Sequence, residues 1–184
     1  AEGAMRTALE RSPKDAEAWS IRGLVRLRIA SAIEIAGGDP LPDCRLAEGD
    51  FAEALRLGAS EPWLWLWKGM ARSLTARRGA AAGSLDPASF RAAEEDFGKS
   101  LELGPDRAET WVGRAELRAQ WSLFAAAGRD PGAEELWRRA ESDWAEGLRL
   151  DPAMPDAWRE RGRLRMQRFL LGLAPDGDVE THLP

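Results

Sequence analysis

Residues 65–72, "WLWKGMAR", follow a pattern that recurs along the chain. The related stretches are "WSIRGLVR" at 19–26, "WVGRAELR" at 111–118 and "WRERGRLR" at 158–165. Each consists of Trp, two variable residues, a basic residue, a small residue, two variable residues and Arg. The tryptophans are 46, 46 and 47 residues apart, which indicates a chain built from repeated units.

A second motif precedes each repeated tryptophan. A leucine stands ten residues before it, at Leu9, Leu55, Leu101 and Leu148. Three of these leucines end the stretches "AEGDFAEAL" at 47–55, "AEEDFGKSL" at 93–101 and "AESDWAEGL" at 140–148. We interpret each unit as two antiparallel helices, in which the first carries the Trp and the small residue. The second carries Ala, then Phe or Trp four residues on, then Leu.

Acids and prolines indicate where the helices begin. Asp-Pro pairs at 39–40, 86–87 and 130–131 precede the second helices, and Pro62 and Pro155 suit the first position of two first helices. Asp106 with Glu109 can form a capping box in a third first helix. The predicted helices are 4–11, 15–36, 41–57, 62–79, 87–103, 107–127, 131–149 and 155–172. Residues 174–184 are predicted to form a flexible tail.

The unit resembles the tetratricopeptide repeat (TPR), a helix pair marked by Trp, two residues, Leu-Gly, then Ala, three residues and Phe, and a final Pro. The matches are Trp19/Gly23/Ala47/Phe51, Trp65/Gly69/Ala93/Phe97 with Pro105, and Trp111/Ala115/Ala140/Trp144 with Pro152. The resemblance implies an all-α fold, a right-handed α-solenoid of about eight helices. It covers residues 1–173, with a partial unit at 1–14, units from about 15, 61 and 107, and a final helix at 155–172.

Two features depart from the TPR pattern. The usual period is 34 residues, so each unit has about 12 more, which we expect to lengthen both helices. Basic residues replace the family's Leu at Arg22, Lys68, Arg114 and Arg161, and its Tyr at Arg26, Arg72, Arg118 and Arg165.

The basic residues have recurring acidic counterparts in the second helices. These are Asp50, Asp96 and Asp143, with Glu48, Glu94 and Glu141 two residues earlier. We expect ion pairs between the facing helices, and the alternative is a site for a phosphate or an acidic ligand. Arg161 and Arg165 have no following acidic helix, so we expect a solvated capping helix or a further repeat there.

Composition argues against several functional classes. The net charge is -5, with basic and acidic residues interleaved, so we expect no nucleic-acid partner. No apolar run reaches the roughly 20 residues of a membrane span, and no signal peptide is visible, which favours a cytoplasmic location. Cys44 and His182 are each the only residue of their type. We therefore expect no disulfide, no metal, no cofactor and no enzyme activity.

Protein binding is the function that the resemblance implies. In the TPR family the first helices line a concave groove that receives extended peptides or helices. Here the groove positions are apolar in the first half and charged in the second, where Glu116, Glu160 and Arg163 lie. The predicted partner-binding residues are Trp63, Leu66, Trp67, Met70, Leu74, Ile21 and Leu24. The leading prediction is a noncatalytic protein–protein interaction module that binds a partner peptide or helix through this apolar groove.

Other interpretations are also compatible with the sequence. The chain is alternatively a structural spacer that self-associates through its solenoid ends. It is alternatively a regulatory region of a larger protein such as a bacterial signalling kinase, or a scaffold with a small-molecule groove. The Trp63 and Trp67 face is either exposed or covered by the same polypeptide. The predicted structural repeat positions are Trp19, Trp65, Trp111, Trp158, Phe51, Phe97 and Trp144, with the Trp column expected in the core.

Overall fold

The structure, a computed structural model, describes residues 2–173 as eight α-helices, with no strand in that range. The helices are α1 (Glu2–Arg11), α2 (Ala16–Ile35), α3 (Leu41–Arg56), α4 (Pro62–Ala81), α5 (Pro87–Leu103), α6 (Ala108–Ala127), α7 (Ala133–Leu150) and α8 (Pro155–Leu170). The predicted all-α class with eight helices is confirmed, and each predicted boundary lies within two residues of the structure. The predicted tail at 174–184, with His182, lies outside the described residues.

The helices pack as an array in which each contacts its neighbours in sequence. The even-numbered helices also contact one another, α2 with α4, α4 with α6 and α6 with α8. Among residues 2–173 the odd-numbered helices make no such contacts with one another. The even-numbered layer is therefore the more closely spaced one. We call the side of this layer that faces away from the odd-numbered helices the inner face.

The extra residues of each unit lengthen both helices, as predicted. The first helices α2, α4 and α6 have 20 residues each, and the second helices α3, α5 and α7 have 16, 17 and 18. Each connecting turn contains one residue with positive φ, 18 residues after the repeated tryptophan: Gly37 at 79°, Gly83 at 85° and Arg129 at 60°. The first two turns use glycine, which adopts this conformation without a Cβ clash.

The helix-start prediction is accurate at α5 and wrong at α6. Asp86 accepts hydrogen bonds from the backbone N–H groups of Ala88 and Ser89 at 3.0 and 3.2 Å, and Pro87 begins the helix. The capping box predicted at the start of α6 is absent, because Arg107 occupies the N-cap position and makes no side-chain cap hydrogen bond.

The second-helix aromatic residues form the centre of the core, as predicted. Phe51, Phe97 and Trp144 are 0%, 1% and 0% exposed. Phe51 packs so closely on Gly23 that a Cβ there would lie 2.6 Å from its ring, and Phe97 packs in the same way on Gly69 at 3.3 Å. The small residue of the first helix is therefore required by the aromatic residue of the second.

The repeated tryptophans are not core residues, which corrects the prediction. Trp158 is 52% exposed, and the other three are half-buried. The cation three residues later lies 4.4–6.0 Å from each ring centroid, at Arg22, Lys68, Arg114 and Arg161. Three indole N–H groups also donate to a proline carbonyl six residues earlier, those of Trp19, Trp111 and Trp158. Each ring therefore shields a cation, and three of the four also tie their helix to the preceding turn.

The glycine–aromatic packing predicts opposite effects for one substitution at two equivalent positions. Gly23→Ala places a methyl group against the fully buried Phe51, so it should destabilise the protein by about 1–3 kcal/mol. Gly162 occupies the same repeat position, but a Cβ there has no neighbour within 4 Å. Gly162→Ala should therefore stabilise α8 by up to about 1 kcal/mol, as alanine does in a helix. Urea unfolding of both variants measures this, and equal effects at the two positions would contradict the packing account.

Candidate functional site

Each second helix buries one aspartate between two basic residues of its first helix. Asp143 accepts two hydrogen bonds from Arg114 at 2.8 Å and one from Arg118 at 2.5 Å. Asp50 is held in the same way by Arg22 and Arg26, and Asp96 by Lys68 and Arg72, at 2.6–3.0 Å. The aspartate side chains are only 3–4% exposed. We call these three groups the aspartate clamps.

The second basic residue of a unit also reaches back to the preceding unit. Arg72 lies 3.5 Å from Glu48, and Arg118 lies 2.6 Å from Glu94. The clamps therefore connect adjacent units as well as the two helices of one unit. The sequence shows that these glutamates recur in every unit. Only the structure shows that they pair with arginines of the next unit.

Arg161 and Arg165 of α8 pair with an acid of the preceding helix, although most residues of α8 are exposed as expected of a solvated capping helix. Both donate to Glu141 of α7, at 2.6–3.0 Å. Burial disfavours the charge on Glu141, but the two guanidinium groups more than offset this and hold its pKa below the ordinary value. The predicted ion pairs between facing helices are confirmed. Because the basic rows are neutralised internally, the alternative of a phosphate site there loses its support.

Removing a clamp carboxylate should be far more costly than removing an exposed one on the same helix. Asp143→Ala leaves Arg114 and Arg118 without their buried counter-charge, so we expect a loss of about 3–5 kcal/mol. Glu146 pairs with Arg149 on the exposed side of α7, and Glu146→Ala should leave the unfolding midpoint almost unchanged. Denaturant unfolding of the two variants is the measurement, and similar midpoints would show that the clamps do not stabilise the fold.

Two predicted partner-binding residues belong to the core instead. Leu66 is 7% exposed and packs in a cluster with Phe97 and Leu117, while Leu74 is 4% exposed and packs against Ala30. Helix α4 packs between α2 and α6, so only a narrow strip of its surface remains exposed to solvent. The prediction is therefore wrong for these two residues.

The other five predicted residues are partly exposed apolar side chains of α2 and α4. We call Ile21, Leu24, Trp63, Trp67 and Met70 the groove patch. Ile21 and Met70 are 41% and 42% exposed, and the other three are half-buried. The patch therefore lies at the surface of the array, and three of its five side chains are partly buried.

The two tryptophans that interrupt the repeat pattern now have a structural explanation. The ring centroids of Trp63 and Trp67 are 4.4 Å apart, and that of Trp67 is 6.2 Å from Phe51 of the preceding unit. Trp67 thus fills the space between the first and second units, and Trp63 packs on it. The face is neither fully exposed nor fully covered.

The inner face becomes charged toward α8. Glu116 of α6 lies near Asp156, Glu160 and Arg163 of α8 and near Arg77 of α4. Burial, reinforced by the charge of Glu160, raises the pKa of Glu116 to about 7, against the opposing effect of the two arginines. Glu116 is therefore partly protonated at neutral pH.

The raised pKa predicts how stability depends on pH. The ordinary value of Glu116 is 4.5, so its charge destabilises the folded state progressively as the pH rises from about 4.5 to about 7. Glu116→Gln removes this charge and should stabilise the protein at pH 8 by about 1–3 kcal/mol, with no gain at pH 4. Thermal unfolding across this range, with the exposed Glu95→Gln as control, measures the effect. A gain that does not vary with pH would contradict it.

No group of three or more His, Cys, Asp or Glu within residues 2–173 is placed to hold a metal ion. Cys44 is buried, and burial raises the pKa of its thiol to about 11, so the thiol is protonated at neutral pH. Among the described helices none is long and apolar enough to cross a membrane.

No protein-family model matches the chain, and no curated protein is significantly similar to it.

Proposed function

We propose that this chain is a TPR-like, right-handed solenoid module without catalytic activity, which binds a partner peptide or helix on its inner face. The observation that carries the proposal is the groove patch. Ile21 of α2 and Met70 of α4 are more than 40% exposed, and α4 also carries the packed tryptophan pair Trp63 and Trp67. Aromatic side chains in such surroundings are typical anchors of protein interfaces.

The groove patch is held in place before any partner binds. Trp63 and Trp67 pack against each other, and both contact the core cluster around Phe51. Side chains that are already ordered lose little conformational entropy on binding, which favours affinity. A partner would therefore gain most from apolar side chains placed between Ile21 and Met70.

The rest of the inner face indicates what the remainder of the partner would carry. Beyond the groove patch lie Glu116, Glu160, Arg77 and Arg163, which mix both signs of charge. A segment that crosses from α2 and α4 to α6 and α8 would place apolar residues at one end and polar residues at the other. Charged groups at such an edge contribute to orientation more than to affinity.

The proposal is tested by selecting peptides from a random 15-residue phage library on the purified protein. We expect selected peptides to be apolar in one half, and their affinity to fall at least tenfold in the Ile21→Glu/Met70→Glu double variant. Both residues are already partly exposed, so the thermal unfolding midpoint should change little.

A matched control is Ile35→Glu, because Ile35 lies at the end of α2 and is 87% exposed. This variant should bind the selected peptides as the unaltered protein does. If the selected peptides bind the double variant with unchanged affinity, the groove patch is not the docking surface.

A further inference from the structure

Glu116 is a carboxylate of the inner face that lacks a hydrogen-bond donor. It lies on α6, which packs between α4 and α8, and its side chain is half-buried. Within residues 2–173 it takes part in no hydrogen bond or ion pair. Its two neighbouring arginines pair with other acids, Arg77 with Glu34 at 3.5 Å and Arg163 with Glu160 at 2.9 Å. This part of the inner face therefore has one carboxylate more than its arginines pair with.

The charge of Glu116 opposes folding. Partial removal from water disfavours it, and Glu160 and Asp156 on α8 add repulsion. Arg77 of α4 and Arg163 of α8 offset only part of this, since the pKa of Glu116 is still raised to about 7. A group that weakens its own fold and faces an open surface is typical of a binding site. A cation supplied by a bound partner would satisfy it.

Glu116 occupies the same repeat position as Met70 of the groove patch. The two residues are one repeat apart, on helices α6 and α4 that contact each other. Axes of packed helices lie roughly 8–10 Å apart, and an extended peptide advances about 3.3 Å per residue, so a segment bound on Met70 would reach Glu116 in about three residues. Gly113, one turn before Glu116, has no side chain that could obstruct this path.

We propose that Glu116 receives a lysine or arginine side chain of the partner segment, about three residues from the apolar residue that contacts Met70. This inference rests on the proposed function and adds the charge of the partner. A hydrogen bond between a cation and a carboxylate that is partly removed from water is stronger than one at an exposed edge. The cation therefore contributes to affinity as well as to orientation. An acidic segment would be repelled by Glu116 together with Glu160 and Asp156.

The test uses the library peptides that the Ile21→Glu/Met70→Glu variant binds weakly, because these lie on the groove patch. They should share a lysine or arginine. Replacing that residue of the peptide by glutamine should weaken binding about tenfold, and Glu116→Gln should weaken binding of the unaltered peptide by the same factor. The two changes together should weaken binding no more than either alone. Glu95→Gln, at an exposed acid of α5, is the matched control and should bind normally.

Two further measurements distinguish binding from a structural role. Glu116→Gln should raise the resistance to denaturant at pH 8 while it weakens peptide binding, whereas a structural role would lower both. Binding to the unaltered protein should strengthen severalfold from pH 5.5 to pH 8, as Glu116 loses its proton, and Glu116→Gln should abolish this dependence. Calorimetric titration at pH 7, in two buffers of different ionisation enthalpy, should detect the release of about half a proton per peptide.

The outcomes separate this inference from the proposed function. Peptides that bind the groove patch but share no cation would overturn the inference alone. An affinity that neither Glu116→Gln nor loss of the cation lowers, or that Glu95→Gln lowers equally, would do the same. Selection of no peptide, or of peptides that bind the Ile21→Glu/Met70→Glu variant normally, would overturn the proposed function and this inference with it.

Discussion

The fold depends on a buried carboxylate that two cations must neutralise. An aspartate removed from water is unfavourable unless charge and hydrogen bonds compensate it, and each clamp provides both from the facing helix. The two cations are four residues apart on one helix, and the aspartate is on the facing helix. All the hydrogen bonds of the clamp therefore form in only one register of the two helices. The glutamates that receive Arg72, Arg118 and Arg165 extend this constraint from one unit to the next.

The clamps also explain where the proposed binding surface lies. They confine most of the repeated charge to the contact between the two helix layers, so the rows of arginine are structural. What is left for binding consists of side chains that vary between units. The groove patch has Trp63 where the other units have Glu17, Glu109 and Asp156. The proposed surface therefore follows from a departure from the repeat.

The sequence predicted the helices well because repetition supplied three or four copies of the main signals. Their bounds, the lengthened hairpins, the ion pairs and the buried aromatic column at Phe51, Phe97 and Trp144 were all readable from spacing and residue type. The tryptophan column was misjudged, because a large apolar residue at a constant position can shield a cation as well as fill a core. Its basic neighbour three residues later was the signal that distinguishes these roles.

The candidate site was less predictable for physical reasons. Leu66 and Leu74 share a helix with Met70, yet only the approach of α2 and α6 determines which of them stays open. The high pKa of Glu116 similarly arises from groups on two other helices. Such properties depend on distances between units, which the pattern within a unit does not contain.

The central claim, that the inner face at α2 and α4 receives the partner, is tested most directly by methyl NMR. The chain has four methionines, so labelling their ε-methyl groups with ¹³C gives few and resolvable signals. Titration with a peptide selected on the protein should shift the signal of Met70 in the groove patch and leave that of Met154, beside the α7–α8 core, in place. A shift of Met154 with an unmoved Met70 would contradict the account.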